Sequence, residues 1–119
     1  MAESMMIPVS YVCFSILMRS GRILDIDERF TKVLGYTDEE VLQGEISFKD
    51  LVPDVEYESL IKEFRDQFIE NRYVCYQHEL VAKDGTIKTV VSFYRLENKL
   101  LDGHRVLRVS CAMPESLEK

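Results

Sequence analysis

The chain has 119 residues, a length that suits one domain able to bury a core without disulfide or metal staples. Its 21 acidic residues against 15 basic ones leave a formal charge of −6. That balance argues against a general nucleic-acid or anionic-membrane binder, since either needs a basic face.

No apolar run is long enough to span a bilayer. The opening MAESMMIPVS lacks the basic start of a signal peptide, so the expected compartment is the cytoplasm. Three cysteines, Cys13, Cys75 and Cys111, lie far apart with no CxxC pair. Each falls in an expected strand, where a free cysteine behaves as a small buried apolar group.

In chain order, YVCFSILM over 11–18 is β-branched and aromatic enough for a strand. Arg19-Ser20-Gly21 supplies a turn and 22–26 a second strand, which makes a hairpin. Asp27 is placed to cap a short helix whose apolar stripe is Phe30, Val33 and Leu34, and Gly35 ends it. Thr37 and Glu40 form a capping box, Thr-x-x-Glu, with Tyr36 and Val41 at the two staple positions, and Gly44 closes the helix. Ser47 and Asp50 repeat the device more weakly, flanked by Ile46 and Leu51, and Pro53 stops that turn. A longer helix is predicted over 55–70. Its face of Tyr57, Leu60, Ile61, Phe64 and Phe68 reads as core, with Glu58 and Lys62 as an i,i+4 ion pair opposite and Asn71 as terminator.

The rest reads as β structure. A strand over 73–82 is followed by Asp84-Gly85, the signal of a type I′ hairpin turn, and a return strand over 86–96. Asp102-Gly103 signals a second such turn. Residues 105–113 form the last strand, with Leu107, Val109, Cys111 and Met113 alternating to one face. In the strand over 86–96, Ile87, Val91 and Phe93 point one way and Val90, Tyr94 and Leu96 the other. A sheet covered by helices on one side should be polar on the other. The apolar excess is either scattered surface or a face that meets the N-terminal segment, another subunit or a further domain.

Taken together, Gly21-x-Ile23, Asp27, Phe30, Gly35-Tyr36-Thr37, Glu40-Val41 and Gly44, then Asp50-Leu51-Val52-Pro53 and Lys83-Asp84-Gly85-Thr86, are similar to the PAS domain family. The similarity covers roughly residues 11–113, and it rests on the order and spacing of the pieces. It implies an α+β, PAS-like fold: a five-stranded antiparallel sheet with short helices and one longer helix on one face. Residues 1–10 are then an N-terminal extension, 11–113 the domain and 114–119 (PESLEK) the start of a C-terminal linker. Asp27 stands where the family often has Asn; both cap helices. Where many bacterial members end the last strand with Asp-Ile-Thr, this chain has Ala112-Met113-Pro114-Glu115, and the proline interrupts any helix running straight out of that strand.

The resemblance implies a sensory signal-transduction module. It would bind a small molecule or partner and regulate an output domain such as a histidine kinase or a cyclic-dinucleotide enzyme. The expected assembly is a homodimer through the sheet face and the N-terminal segment. The alternatives are a ligand-free protein-interaction adaptor and a small enzyme on the same scaffold. The family's flavin-binding light sensors carry a reactive cysteine before the long helix, and GEISFKDLVPD over 44–54 has none. Its haem-binding members supply a histidine from or near the long helix, whereas His78 lies in a strand and His104 after a turn glycine. No cofactor is therefore expected. No metal spacing, phosphate loop or Ser-His-Asp arrangement is present, so no catalytic residue is assigned. The candidate pocket residues are Tyr57, Phe64, His78 and Tyr94; the competing expectation is that they pack together and leave no void.

Overall fold

The structure, a computed structural model, describes residues 9–114. Most of the expected 1–10 extension and 114–119 linker lies outside the described residues. Five strands, β1 (Val9–Leu17), β2 (Ile23–Ile26), β3 (Tyr73–Val81), β4 (Ile87–Leu96) and β5 (Val106–Pro114), form one sheet in the order β2-β1-β5-β4-β3. Every neighbouring pair is antiparallel. Four helices, α1 (Glu28–Leu34), α2 (Asp38–Leu42), α3 (Phe48–Leu51) and α4 (Asp54–Gln67), fill the crossover between β2 and β3. The expected α+β architecture is the observed one.

Strand alternation sets the layers. Along β4, Val90, Ser92, Tyr94 and Leu96 are buried, while Ile87, Thr89, Val91, Phe93 and Arg95 are exposed. Val12, Phe14 and Ile16 of β1 and Leu107, Val109, Cys111 and Met113 of β5 join the buried face, and the helices contribute Phe30, Leu34, Val41, Phe48, Leu51, Leu60 and Phe64.

Local chemistry starts and stops each helix. The Asp27 carboxylate accepts the Phe30 N–H (2.9 Å) with one oxygen and the Cys13 N–H (3.1 Å) with the other, so one side chain caps α1 and ties it to β1. An asparagine there would offer a single oxygen for both duties. The Thr37–Glu40 box is complete, with bonds of 2.9 and 3.1 Å. The Ser47–Asp50 box is half made: Asp50 accepts the Ser47 N–H (2.9 Å), but the Ser47 hydroxyl donates to Asp50 and caps no backbone N–H. Pro53 stands at the N-cap of α4, and Asn71 bonds back to the Gln67 carbonyl beyond its end.

Four expectations need correction. Helix α4 ends at Gln67, because Phe68 turns inward as the C-cap residue. Glu58 and Lys62 do not pair; the ion pairs among the described residues are Lys83–Glu40, Arg95–Glu97 and Arg108–Asp25. Exposed partners at i,i+4 gain too little to hold two long side chains in one geometry. Cys75 is exposed, not buried, because its register places it on the sheet's outer face opposite Phe93. The Asp84-Gly85 turn is not type I′. Only Gly85 has positive φ (90°), and the Gly85 N–H to Ala82 O and Ala82 N–H to Thr86 O bonds close a three-residue loop. That is a type I turn followed by a left-handed glycine, the usual three-residue hairpin. Asp102-Gly103, with φ of 51° and 80°, is the type I′ turn expected.

Gly21 carries two constraints at once. Its φ is +78°, and a Cβ there would meet Phe48 Cβ at 3.3 Å and Tyr57 Oη at 3.4 Å. Its carbonyl also accepts the Phe48 N–H at 2.8 Å, which docks α3 onto the β1–β2 loop. Gly85 has similar backbone geometry but nothing within 4 Å of a Cβ. Urea denaturation should therefore show a loss of about 1 kcal/mol for Gly85→Ala, from backbone strain alone. For Gly21→Ala it should show roughly 2–3 kcal/mol, from strain plus crowding. Equal losses would mean that the Gly21–Phe48 approach is not a tight constraint.

Candidate functional site

The inner face of the sheet carries a connected set of rings. Phe64 of α4 lies 4.7 Å from Tyr94 of β4, centroid to centroid. Phe48 of α3 sits 6.0 Å from Tyr57, 6.4 Å from Phe64 and 6.3 Å from Tyr94. Tyr76 of β3 joins at 6.1 Å from Phe64 and 6.2 Å from Tyr94. These are ordinary aromatic packing distances, in which tilted and edge-on arrangements add to area burial. Phe48, Phe64 and Tyr94 are each at most 1% exposed.

The four candidates Tyr57, Phe64, His78 and Tyr94 are thus brought into one neighbourhood, and three of them border separate clefts. Phe64 contributes to a cleft of about 440 Å³ at one end of α4. His78 borders a groove of about 230 Å³ between α4 and β3. Tyr94 borders a shallow depression of about 310 Å³ towards the outer face. Phe48, at the centre of the ring cluster, was missed from sequence. The signal was there in part, because an apolar residue directly after an N-cap serine begins a helix that has to face the core.

The polar groups of His78, Tyr94 and Tyr76 are paired. His78 Nδ1 lies 3.1 Å from the Glu79 carbonyl, and Nε2 lies 2.7 Å from the Tyr94 hydroxyl. A carbonyl only accepts, so Nδ1 carries the hydrogen and Nε2 accepts from Tyr94. Burial lowers the His78 pKa below its ordinary value, although the neighbouring Glu56 carboxylate works the other way. Glu56 itself accepts the Glu79 N–H at 3.0 Å and so pins α4 to β3. Burial raises Tyr94 well above the ordinary phenol. It pushes Tyr76 up to about 12, with help from Glu63, whose carboxylate accepts the Tyr76 hydroxyl at 3.3 Å. Cys111 accepts from the Ser92 hydroxyl at 3.1 Å, and burial pushes its thiol up to about 12, far from the thiolate a nucleophile needs. Among the described residues no cluster of His, Cys, Asp and Glu could hold a metal ion. Nor is any helix among them long and apolar enough to cross a membrane.

The outer face carries the other candidate surface. Strand register sets Tyr11, Ala112 and Val91 in one row and Cys13, Ser110, Phe93 and Cys75 in the next. Tyr11 is 50% exposed, Phe93 48% and Ile87 54%. Arg108, paired with Asp25 at 3.1 Å, and Arg95, paired with Glu97 at 2.7 Å, edge this patch with charge.

Solved structures share the architecture. A PAS domain from a two-component sensor histidine kinase is 13% identical with a TM-score of 0.68, the match covering 88% of this chain and 85% of that one. A Drosophila melanogaster Cycle PAS-B variant with bound glycerol is 18% identical with a TM-score of 0.69, over 87% of this chain and 99% of that one. A PAS domain from Colwellia psychrerythraea is 15% identical with a TM-score of 0.69, over 92% and 88%. No protein-family model matches the chain, and no curated protein does. The fold is therefore the PAS fold, as the sequence motifs implied.

The neutral, buried His78 should make stability depend on pH. The unfolded chain takes up a proton near pH 6.5, whereas the folded chain, with its lowered pKa, does not. Stability should thus be complete above about 6.5 and fall as pH drops from there towards the folded value, by up to about 1.4 kcal/mol per pH unit. Urea midpoints of the wild type should fall towards those of His78→Gln across that window; parallel curves would count against a buried neutral imidazole. Tyr94→Phe should cost about 1–3 kcal/mol by leaving His78 Nε2 without its donor.

Proposed function

We propose that this chain is a sensory or signal-transduction module that regulates an attached or associated output domain and works as a homodimer through the outer face of its sheet and the segment leading into β1. The observation that carries the reading is the outer face itself. Apolar side chains stand on four of its strands, Tyr11 on β1, Ala112 on β5, Val91 and Phe93 on β4 and Cys75 on β3, broken only by Ser110 and Gln77 in the same two rows, and charged pairs edge them, as at an interface with an apolar centre and a polar rim. The likeness to a PAS domain of a sensor histidine kinase supports the signalling part.

The domain's own role is binding rather than catalysis. His78 is a poor haem ligand, since both of its ring nitrogens already hold partners within the protein. The segment before α4 has no cysteine for the adduct chemistry of the flavin-binding light sensors. A second reading, a ligand-free adaptor, draws support from the tight ring cluster that fills the inner face. Native mass spectrometry separates the two: a retained small molecule favours sensing, and an empty protein favours docking.

Sedimentation velocity tests the dimer. The full chain should sediment as a dimer, and Val91→Asp with Phe93→Asp should give a folded monomer with an unchanged circular dichroism spectrum. A wild type that stays monomeric at every concentration, or a double variant that stays dimeric, would remove the outer face from the mechanism.

A further inference from the structure

The cleft at the end of α4 has a charge pattern that nothing above explains. Three arginines reach it from three separate elements: Arg19 from the β1–β2 loop, Arg65 from α4 and Arg105 from the segment just before β5. None of the three has an ion pair or side-chain hydrogen bond among the described residues, and no acidic residue lines the cleft. Among the described residues other arginines are occupied: Arg95 pairs with Glu97, Arg108 with Asp25, Arg72 bonds the Leu96 carbonyl and Asn98, and Arg29 bonds Ser10; Arg22, outside the cleft, is not. In a protein of net charge −6, with acids in surplus, this cleft is lined by three arginines and no carboxylate. Between them the floor is apolar, made by Met18, Ile61 and Phe64. Gly103 and His104 complete the rim.

We infer that this cleft binds a small organic anion: a carboxylate or phosphate head group held by Arg19, Arg65 and Arg105, on an apolar body lying over Met18, Ile61 and Phe64. Guanidinium forks match the planar or tetrahedral oxygens of such heads, often with two parallel bonds. A cleft of about 440 Å³ lies within the range for small-molecule sites. Neither half of the site suffices alone. An inorganic anion leaves the apolar floor wet, and an uncharged apolar molecule leaves the arginines unneutralised.

The inference deepens the sensory reading by naming a ligand class, yet its test is independent of the dimer. Backbone amide spectra of the full chain would be followed while octanoate, octyl phosphate, octanol or inorganic phosphate is added. Octanoate, octyl phosphate or both should shift Gly103, His104 and Arg105, and the preferred one identifies the head group. Octanol and inorganic phosphate should bind at least tenfold more weakly. Arg65→Gln with Arg105→Gln, both exposed positions, should weaken binding of the preferred probe at least tenfold without moving the urea midpoint. Three results would overturn the site: no shifts with either amphiphile, octanol or inorganic phosphate binding as well as the preferred amphiphile, or binding indifferent to the two substitutions. Any of these leaves the sedimentation result standing, and a monomeric wild type leaves the cleft standing.

Discussion

One-sided burial governs this molecule. A single sheet turns alternate side chains inward, and only the inward set is covered by the chain's own helices. Every helix is short apart from α4, and each buries only a few side chains: Phe30 and Leu34 from α1, Val41 from α2, Phe48 and Leu51 from α3. Helices of four to seven residues have almost no stability of their own. They persist because capping satisfies their exposed backbone groups and because the inner face of the sheet takes up their apolar side chains. Burying one large aromatic such as Phe48 is worth about 1.5–3 kcal/mol, several times what its four-residue helix gains internally.

The ties between layers explain why motifs far apart in sequence belong to one pattern. The Leu34 carbonyl, at the end of α1, accepts the Lys83 N–H at 2.8 Å. Glu40 closes its capping box with one oxygen and accepts Lys83 Nζ at 2.6 Å with the other. The lysine and the box together hold the Glu40 pKa below the ordinary carboxylate range. Gly35-Tyr36-Thr37, Glu40 and Lys83-Asp84-Gly85 thus form one spatial unit joining the helical layer to the β3–β4 hairpin. Gly21 and Asp27 do the same at the other side, through Phe48 and Cys13.

Much of this was legible because it is local. The Thr37–Glu40 box, the left-handed Gly35, the Asp102-Gly103 turn and the alternation of β5 are all determined within a few residues, and each stands as read. What failed depended on pairing or on distance. The Asp84-Gly85 loop took its type from which residues pair beyond it, Ala82 with Thr86, and not from the dipeptide. Cys75 faces outward because of its register against Phe93, which composition does not reveal. The candidates Tyr57, Phe64, His78 and Tyr94 were readable as inward-facing. That they could simply pack together was also readable; the part of Phe48, which arrives from α3, was not. The arginine cleft was invisible for the same reason: its three cations lie in three segments, and only the fold brings them to one rim.

The position of that cleft bears on how a bound molecule would be sensed. Strands β1 and β5 pair without interruption from Leu17↔Val106 to Val9↔Pro114, nine residue pairs in all, about 27 Å at the usual strand rise. The Met18 N–H to Arg105 carbonyl bond, 2.9 Å, continues this ladder beyond Leu17, and both residues line the cleft. The opposite end of the ladder is where the chain enters and leaves the described fold. The same two strands contribute Tyr11, Cys13, Ser110 and Ala112 to the outer apolar face. An anion bound between Arg19, Arg65 and Arg105 would therefore act on one end of the pair of strands that carries the proposed association surface. It can shift that pair only if it binds one arrangement more tightly than another.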